Sequence, residues 1–486
     1  MDDLLPSVAP EILDTDAIDL ARAIRSRRIS CAELMATSLD RIEALNPRFN
    51  AIVALQERAP LLARARAADE AIARGEALGP LHGFPIAVKD LASVQGLPTT
   101  MGAPLLKGFV PTSDSIFVER LRRAGAIFIG KTNTPEFGLG SQTYNQVYGA
   151  TRNAYDPQRT SGGSSGGAAV ALALRMLPLA DGSDYGGSLR NPAGWSNVYG
   201  FRPSLGRVPA EGLDAWLPSM GVVGPMARNP ADLGLLLSVI AGYDAREPLS
   251  IPGDGEAFCG ALDADVAGKR IAWLGDFGGA IPYEPGVLAI CEQALRTLET
   301  LGCVVEAAVP DFSFDALWQA FVTLRAWRTG ARLMPFYRDP AKRALLKPEA
   351  IWEIERGRAL SAFDISAAAE VHTQWHRAML RFFERYDFFV LPTAQVFPFA
   401  VETHWPRSIA GRTMETYHEW MKCAVPATMA GVPALAAPAG FNAEGLPMGV
   451  QICGANRAEL ETLQLAQAYH RATQWPEKRR PPALAG

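Results

Sequence analysis

Two Gly-Gly-Ser units stand close together in this chain: Ser161-Gly-Gly-Ser164-Ser165-Gly-Gly167 and Gly182-Ser-Asp184-Tyr185-Gly186-Gly187-Ser188-Leu-Arg190-Asn-Pro192. Upstream, a lysine ends a short apolar run, Phe84-Pro-Ile-Ala-Val88-Lys89-Asp90. A serine hydroxyl is a weak nucleophile until a neighbouring base removes its proton. An amine can be that base near neutral pH if burial or a nearby cation lowers its pKa from about 10.4. Glycines beside a serine leave backbone amides free to approach a carbonyl oxygen, where each donor contributes roughly 3–4 kcal/mol to a tetrahedral transition state. Serines, glycines and one lysine thus suit acyl transfer. The ordinary alternatives are two flexible loops and a surface lysine at a strand end beside Asp90.

Other patterns compete for the same residues. Gly162-Gly-Ser164-Ser-Gly166 fits the GxSxG elbow, which would make Ser164 the nucleophile with His404, His418 or His470 as its base. That elbow follows a strand, whereas Gln158-Arg-Thr-Ser161 precedes Ser164 here. No serine stands three residues before a lysine, so an SxxK arrangement is absent. Gly125-Ala-Ile-Phe-Ile-Gly-Lys131-Thr132 fits the phosphate loop GxxxxGK[ST], but its middle is an apolar, strand-like run, and Thr134-Pro135 follows where a helix is needed. His372 and His376 share a helical face without a third ligand, and six scattered cysteines form no CxxC pair, so no metal and no cofactor are expected.

The elements that must position these residues follow from apolar patterning. Ser30-Cys-Ala-Glu33 is a capping box that opens a helix, with Asn46-Pro47 expected to stop it. From Phe84 the pattern becomes strand, helix, strand: Phe84 to Val88, Ser115 to Arg123, Ala126 to Ile129. Ala168 to Leu174 reads as a buried helix, Glu247 to Gly255 as a connector, and Lys269 to Leu274 with Val287 to Leu301 as a further strand and helix. Phe388 to Leu391 and Ala434 to Ala437 read as late strands. The order implies an α/β fold with a sheet between helices. Hydrophobic residues make up 48%, and 47 basic against 51 acidic residues leave a net charge of −4, so nothing marks a nucleic-acid or anionic-lipid surface. The terminus Met-Asp-Asp-Leu-Leu-Pro lacks the pattern of a secretory leader, and apolar runs are too short to span a membrane. A cytoplasmic location is expected.

The whole set resembles the amidase signature family, whose members hydrolyse amides with a Ser–cis-Ser–Lys triad. Besides the serine loops and the lysine strand, the resemblance rests on Thr99-Thr-Met-Gly102, Gly130-Lys-Thr-Asn-Thr-Pro-Glu136-Phe137, Gly200-Phe-Arg-Pro-Ser-Leu-Gly206-Arg207, Gly224-Pro-Met-Ala-Arg228 and Gly445-Leu-Pro-Met-Gly-Val-Gln451, in order along most of the chain. It implies a large mixed sheet sandwiched between helices, and one amidase domain over residues 1–486 with a helical lead-in at about 1–80. It also implies Lys89 as base, Ser164 as relay across a cis bond from Gly163, Ser188 as nucleophile, and the amides of Tyr185, Gly186, Gly187 and Ser188 as oxyanion hole. Asp184 and Arg190 would brace the loop.

Tyr185 and Trp195-Ser-Asn197 depart from the residues many members carry, which places Tyr185 and Trp195 in the expected substrate pocket. The aromatic-rich stretch at about 312–420 is expected to line it, and no basic residue there is assigned to a carboxylate. The expected substrate is therefore an aromatic or bulky apolar amide, an anilide or an aryl carbamate. The alternative is the glutamine-hydrolysing component of a tRNA-dependent amidotransferase, a reading that Asn191 disfavours, since such components tend to carry Gln there. The expected partner is the small-molecule substrate, with a homodimer as the assembly considered.

Overall fold

The computed structural model describes residues 11–484 except 211–213, 218–219, 254 and 261; the Met1–Pro6 terminus read above lies outside them. Among the described residues, two sheets carry the serine and lysine segments. In the smaller, Pro85–Lys89 runs parallel to Ile127–Thr132, which pairs antiparallel with Ile52–Val53. The larger has eight strands in the order Val304–Ala307, Arg270–Trp273, Phe388–Pro392, Pro447–Gly454, Ala434–Phe441, Tyr199–Arg202, Val222–Ala227 and Ala180–Asp184. Its first three strands are parallel and the remaining pairings antiparallel, so the sheet is mixed.

Local chemistry explains several elements. The Ser30 hydroxyl accepts from the Glu33 amide at 3.0 Å and the Glu33 carboxylate accepts from the Ser30 amide at 2.8 Å, a complete capping box. The helix it opens runs Cys31–Phe49, past Pro47. A proline near a helix end deletes only one backbone donor. The turn is closed instead by Asn50 in the left-handed region and by Asn46 Oδ1, which accepts from the amides of Ala51 and Ile52 at 2.9 and 2.8 Å. Gly166–Ala173 is helical with every residue buried, matching its apolar composition. Gly130, Lys131 and Thr132 lie inside a strand, so they make no phosphate loop.

The strand Ala180–Asp184 escaped the sequence reading because its residues, ADGSD, show neither alternation nor an apolar run. It is the edge strand of the large sheet, and Asp181 ties it to the small one: its carboxylate oxygens accept from the Lys89 amide at 3.1 and 3.2 Å. No helix among the described residues is long and apolar enough to cross a membrane.

Candidate active site

Lys89 ends its strand fully enclosed, with 1% of its surface exposed. Its Nζ donates to Ser164 Oγ and Ser165 Oγ, both at 2.8 Å, and contacts Ser183 Oγ at 3.0 Å and Ser183 O at 3.3 Å. Burial pushes the ammonium down to about 7, against the opposing pull of the Asp181 and Asp184 carboxylates. A lysine so placed is able to exchange a proton with a serine near neutral pH. The Gly163–Ser164 peptide is cis. Asn191 Oδ1 accepts from the Gly163 amide at 3.1 Å, so the residue after Arg190 clamps the loop that carries Ser164.

Ser188 follows the edge strand in the turn beyond Asp184, and its carbonyl accepts from the Ser165 amide at 3.3 Å, which sets the two serine loops side by side. The turn is held by a buried ion cluster. Arg190 donates to both Asp184 oxygens at 2.9 and 3.0 Å, and further to Gln451 Oε1 at 2.7 Å, Thr428 Oγ1 at 2.8 Å and Ala424 O at 2.9 Å. Arg202 Nη1 donates to the Asp184 carbonyl at 2.6 Å. Burial alone would raise the Asp184 carboxyl, but Arg190 and Arg202 hold it well below the usual carboxylate range. Arg190→Ala is expected to destabilise the fold by about 3–5 kcal/mol, because a buried carboxylate loses its bidentate partner. Urea unfolding measures this, and Arg190→Lys should recover only part of the loss because a lysine cannot form the fork.

Not every expected oxyanion donor is free. The Gly187 amide donates to Asp184 Oδ1 at 2.8 Å, so it braces the turn instead of pointing at a substrate. The amides of Gly186 and Ser188 donate to no protein acceptor among the described residues. A narrow crevice beside them is lined by Gly186, Gly187, Asn191, Thr393, Trp420 and Ala424. Trp195 is one layer behind: fully buried, stacked on Trp420 at 5.6 Å and donating Nε1–H to Val396 O at 3.1 Å. Trp420 takes the lining position expected of Trp195. A larger cavity of about 360 Å³ lies beyond this aromatic stack, among Phe399, Ile409, Asn442 and Glu444. It contains neither serine loop nor Lys89, so the site is placed at the serine loops and Lys89 themselves; the smaller crevice beside them has no room for a water molecule.

The histidines offered as bases for Ser164 are engaged elsewhere. His404 meets the Tyr144 hydroxyl at 3.2 Å, His418 the Glu353 carboxylate at 3.0 Å, and His470 the Tyr199 hydroxyl at 3.1 Å. Among the described residues no cluster of His, Cys, Asp or Glu is suited to a metal ion. Sequence reasoning missed Ser165, Ser183 and Asp181 around the lysine, although Asp181 directly precedes the quoted Gly182 motif. It also missed Lys131, whose buried ammonium donates to Thr99 Oγ1 at 3.1 Å and lies 3.9 Å from Asp90.

An amidase family model matches residues 33–463. The chain belongs to the amidase signature family. It is thus a hydrolase acting on carbon–nitrogen bonds other than peptide bonds, on the amidase signature fold. A glutamyl-tRNA(Gln) amidotransferase component from Chloroflexus aurantiacus is 36% identical over 94% of this chain and 96% of that protein. An acylamidase from Rhodococcus erythropolis is 33% identical over 95% and 96%. The crystal structure of a bacterial aryl acylamidase of the amidase signature enzymes superposes with a TM-score of 0.88 at 29% identity, covering 96% of this chain and 99% of its own.

Proposed function

We propose that this amidase hydrolyses aromatic or bulky apolar amides, anilides or aryl carbamates through an acyl-enzyme on Ser188, as one catalytic unit spanning the chain. The observation that carries the mechanism is the 2.8 Å bond from Lys89 Nζ to Ser164 Oγ in a site where burial lowers the amine to about 7. Neutral Lys89 takes the Ser164 proton as Ser164 takes that of Ser188. The Ser188 oxygen then bonds to the carbonyl carbon, and the oxyanion settles on the amides of Gly186 and Ser188, with Tyr185 at the loop's start. When the C–N bond breaks, the proton held by Lys89 returns through Ser164 to the leaving amine, and water repeats the sequence on the ester.

The aromatic preference rests on rings beside that loop. A Cβ on Gly186 would lie 3.5 Å from Phe321 Cζ, Tyr185 and Phe321 are 6.0 Å apart, and Trp420 lines the crevice. Pockets for small molecules are mostly apolar and aromatic, with few polar anchors. A screen of anilides, aryl carbamates and short aliphatic amides should give the highest kcat/KM for an aromatic member, each buried methylene adding on the order of 0.8 kcal/mol. Equal values across the series would remove the aromatic pocket.

The 36% identity to an amidotransferase component supports a second reading, glutamine hydrolysis within a complex. That reading predicts glutamine as the best substrate and co-purification with partner proteins. Asn191, clamped to Gly163, and the aryl acylamidase likeness favour the free-standing amidase.

A further inference from the structure

The helix Phe314–Tyr337 packs on the turn before Ser188 through Phe321, and Phe321, Arg325, Arg328 and Arg332 fall on one of its faces at spacings of four, three and four residues. Phe321 meets the Gly186 turn, as described. One turn on, the Arg325 guanidinium sits 5.0 Å from the Tyr185 ring centroid, fixed by Glu353 Oε1 at 2.7 Å and the Tyr417 hydroxyl at 3.2 Å. Arg325 is therefore neutralised. Among the described residues Arg328 pairs with Asp214 alone, at 3.9 Å, and lies against the Trp327 ring at 5.2 Å. Arg332 has no carboxylate within ion-pair distance among the described residues; its Nη2 donates to Phe137 O at 3.3 Å. Phe137 precedes Gly138, whose Cβ, were there one, would stand 3.5 Å from Ser164 Oγ. The stripe thus runs from the Ser188 loop on one side to the Ser164 side on the other. Between its ends the Tyr185 hydroxyl is buried without a hydrogen-bond partner among the described residues.

Three guanidinium groups against Glu353 and a distant Asp214 leave net positive charge on this helix face, beside Tyr185. Arg332 is exposed, so an anion reaches its guanidinium from solvent. We propose that Arg328 and Arg332, with the Tyr185 hydroxyl, bind a carboxylate carried by the substrate, so that this amidase selects acidic amides, such as carboxylated anilides, over neutral ones. The aromatic ring of the substrate would meet Phe321 and Trp420 while its carboxylate meets the arginines. This rests on the hydrolase reading of the serine loops and supplies the carboxylate grip that the sequence reading left unassigned.

The test compares kcat/KM for 4-acetamidobenzoate and succinanilate, which carry the carboxylate on the amine and acyl sides, with that for acetanilide at low ionic strength. At least one acid should exceed acetanilide by about tenfold or more. That ratio should collapse toward one in Arg328→Gln and Arg332→Gln, persist in Arg332→Lys, and move in favour of 4-acetamidobenzylamine in Arg332→Glu. Equal rates for acidic and neutral anilides, or a ratio unchanged in both glutamine variants, would overturn the proposal. A binding arm separates it from the hydrolase reading. Calorimetric titration of 4-acetamidobenzoate into full-length Ser188→Ala should show binding that Arg332→Gln abolishes and Arg332→Lys restores. Arginine-dependent binding without turnover by the unmodified chain would sink the hydrolase reading alone; turnover of acetanilide without such binding would sink this one alone.

Discussion

Replacing Ser188 with alanine is expected to lower kcat by on the order of 10⁶-fold on any amide the unmodified protein turns over. The size follows from covalent catalysis. Without the Ser188 oxygen, no acyl-enzyme forms, and Lys89 and Ser164 have no nucleophile to activate. Ser164→Ala should also be severely impaired, since it removes the hydroxyl that accepts the Lys89 bond at 2.8 Å. The fold should survive the first change. Ser188 Oγ makes no hydrogen bond among the described residues, so its loss strands no partner, and unfolding transitions of Ser188→Ala and the unmodified chain should coincide within about 0.5 kcal/mol. Steady-state kinetics and urea titration on the same preparations measure both.

The second large effect is on the pH profile. In the proposed mechanism the base is neutral Lys89, whose pKa burial lowers from the lysine range to about 7. Below that value the ammonium form dominates, so kcat/KM should fall tenfold per pH unit toward acid and level off above it. Lys89→Arg, which cannot lose its proton, should be inactive across the range. The groups facing Lys89 are the Asp181 and Asp184 carboxylates, both of which favour its charged form. Asp184 is held in place and offset by Arg190 and Arg202. Asp181 is less firmly ionised: burial raises it to about 6, against the Lys89 amide and Lys131. Asp181→Asn removes an anion that holds the proton on Lys89, so the rising limb should move toward lower pH. A limb that moves to higher pH, or one that vanishes when His404, His418 or His470 is replaced, would reassign the base.

Much of the site was legible because its residues are few, close in sequence and rich in glycine. The serine loops and the lysine strand were visible as motifs, their roles for Lys89, Ser164 and Ser188 came from the family resemblance, and the capping box at Ser30 and the apolar strands followed from spacing. What stayed hidden depends on partners far along the chain. Asp181 meets Lys89 across 92 positions, and a buried polar strand has no periodicity to announce it. Arg325, Arg328 and Arg332 were visible at helical spacing, yet only the folded chain shows that this face looks onto Tyr185 and that Glu353 occupies just one of the three. Gly187 looked like an oxyanion donor by position, whereas its amide is taken by Asp184. Trp195 was expected in the pocket because it departs from the residues many members carry, but its ring, at the end of the turn Asn191–Gly194, packs inward against Trp420.

Trapping shows whether the acyl bond forms on Ser188, with Ser164 as relay. The purified chain is mixed with a slowly deacylating ester and analysed by intact-mass spectrometry, and the labelled peptide is mapped. One adduct per chain is expected, on Ser188, absent from Ser188→Ala and formed much more slowly by Lys89→Ala. An adduct on Ser164, or labelling that persists in Ser188→Ala, would contradict the account.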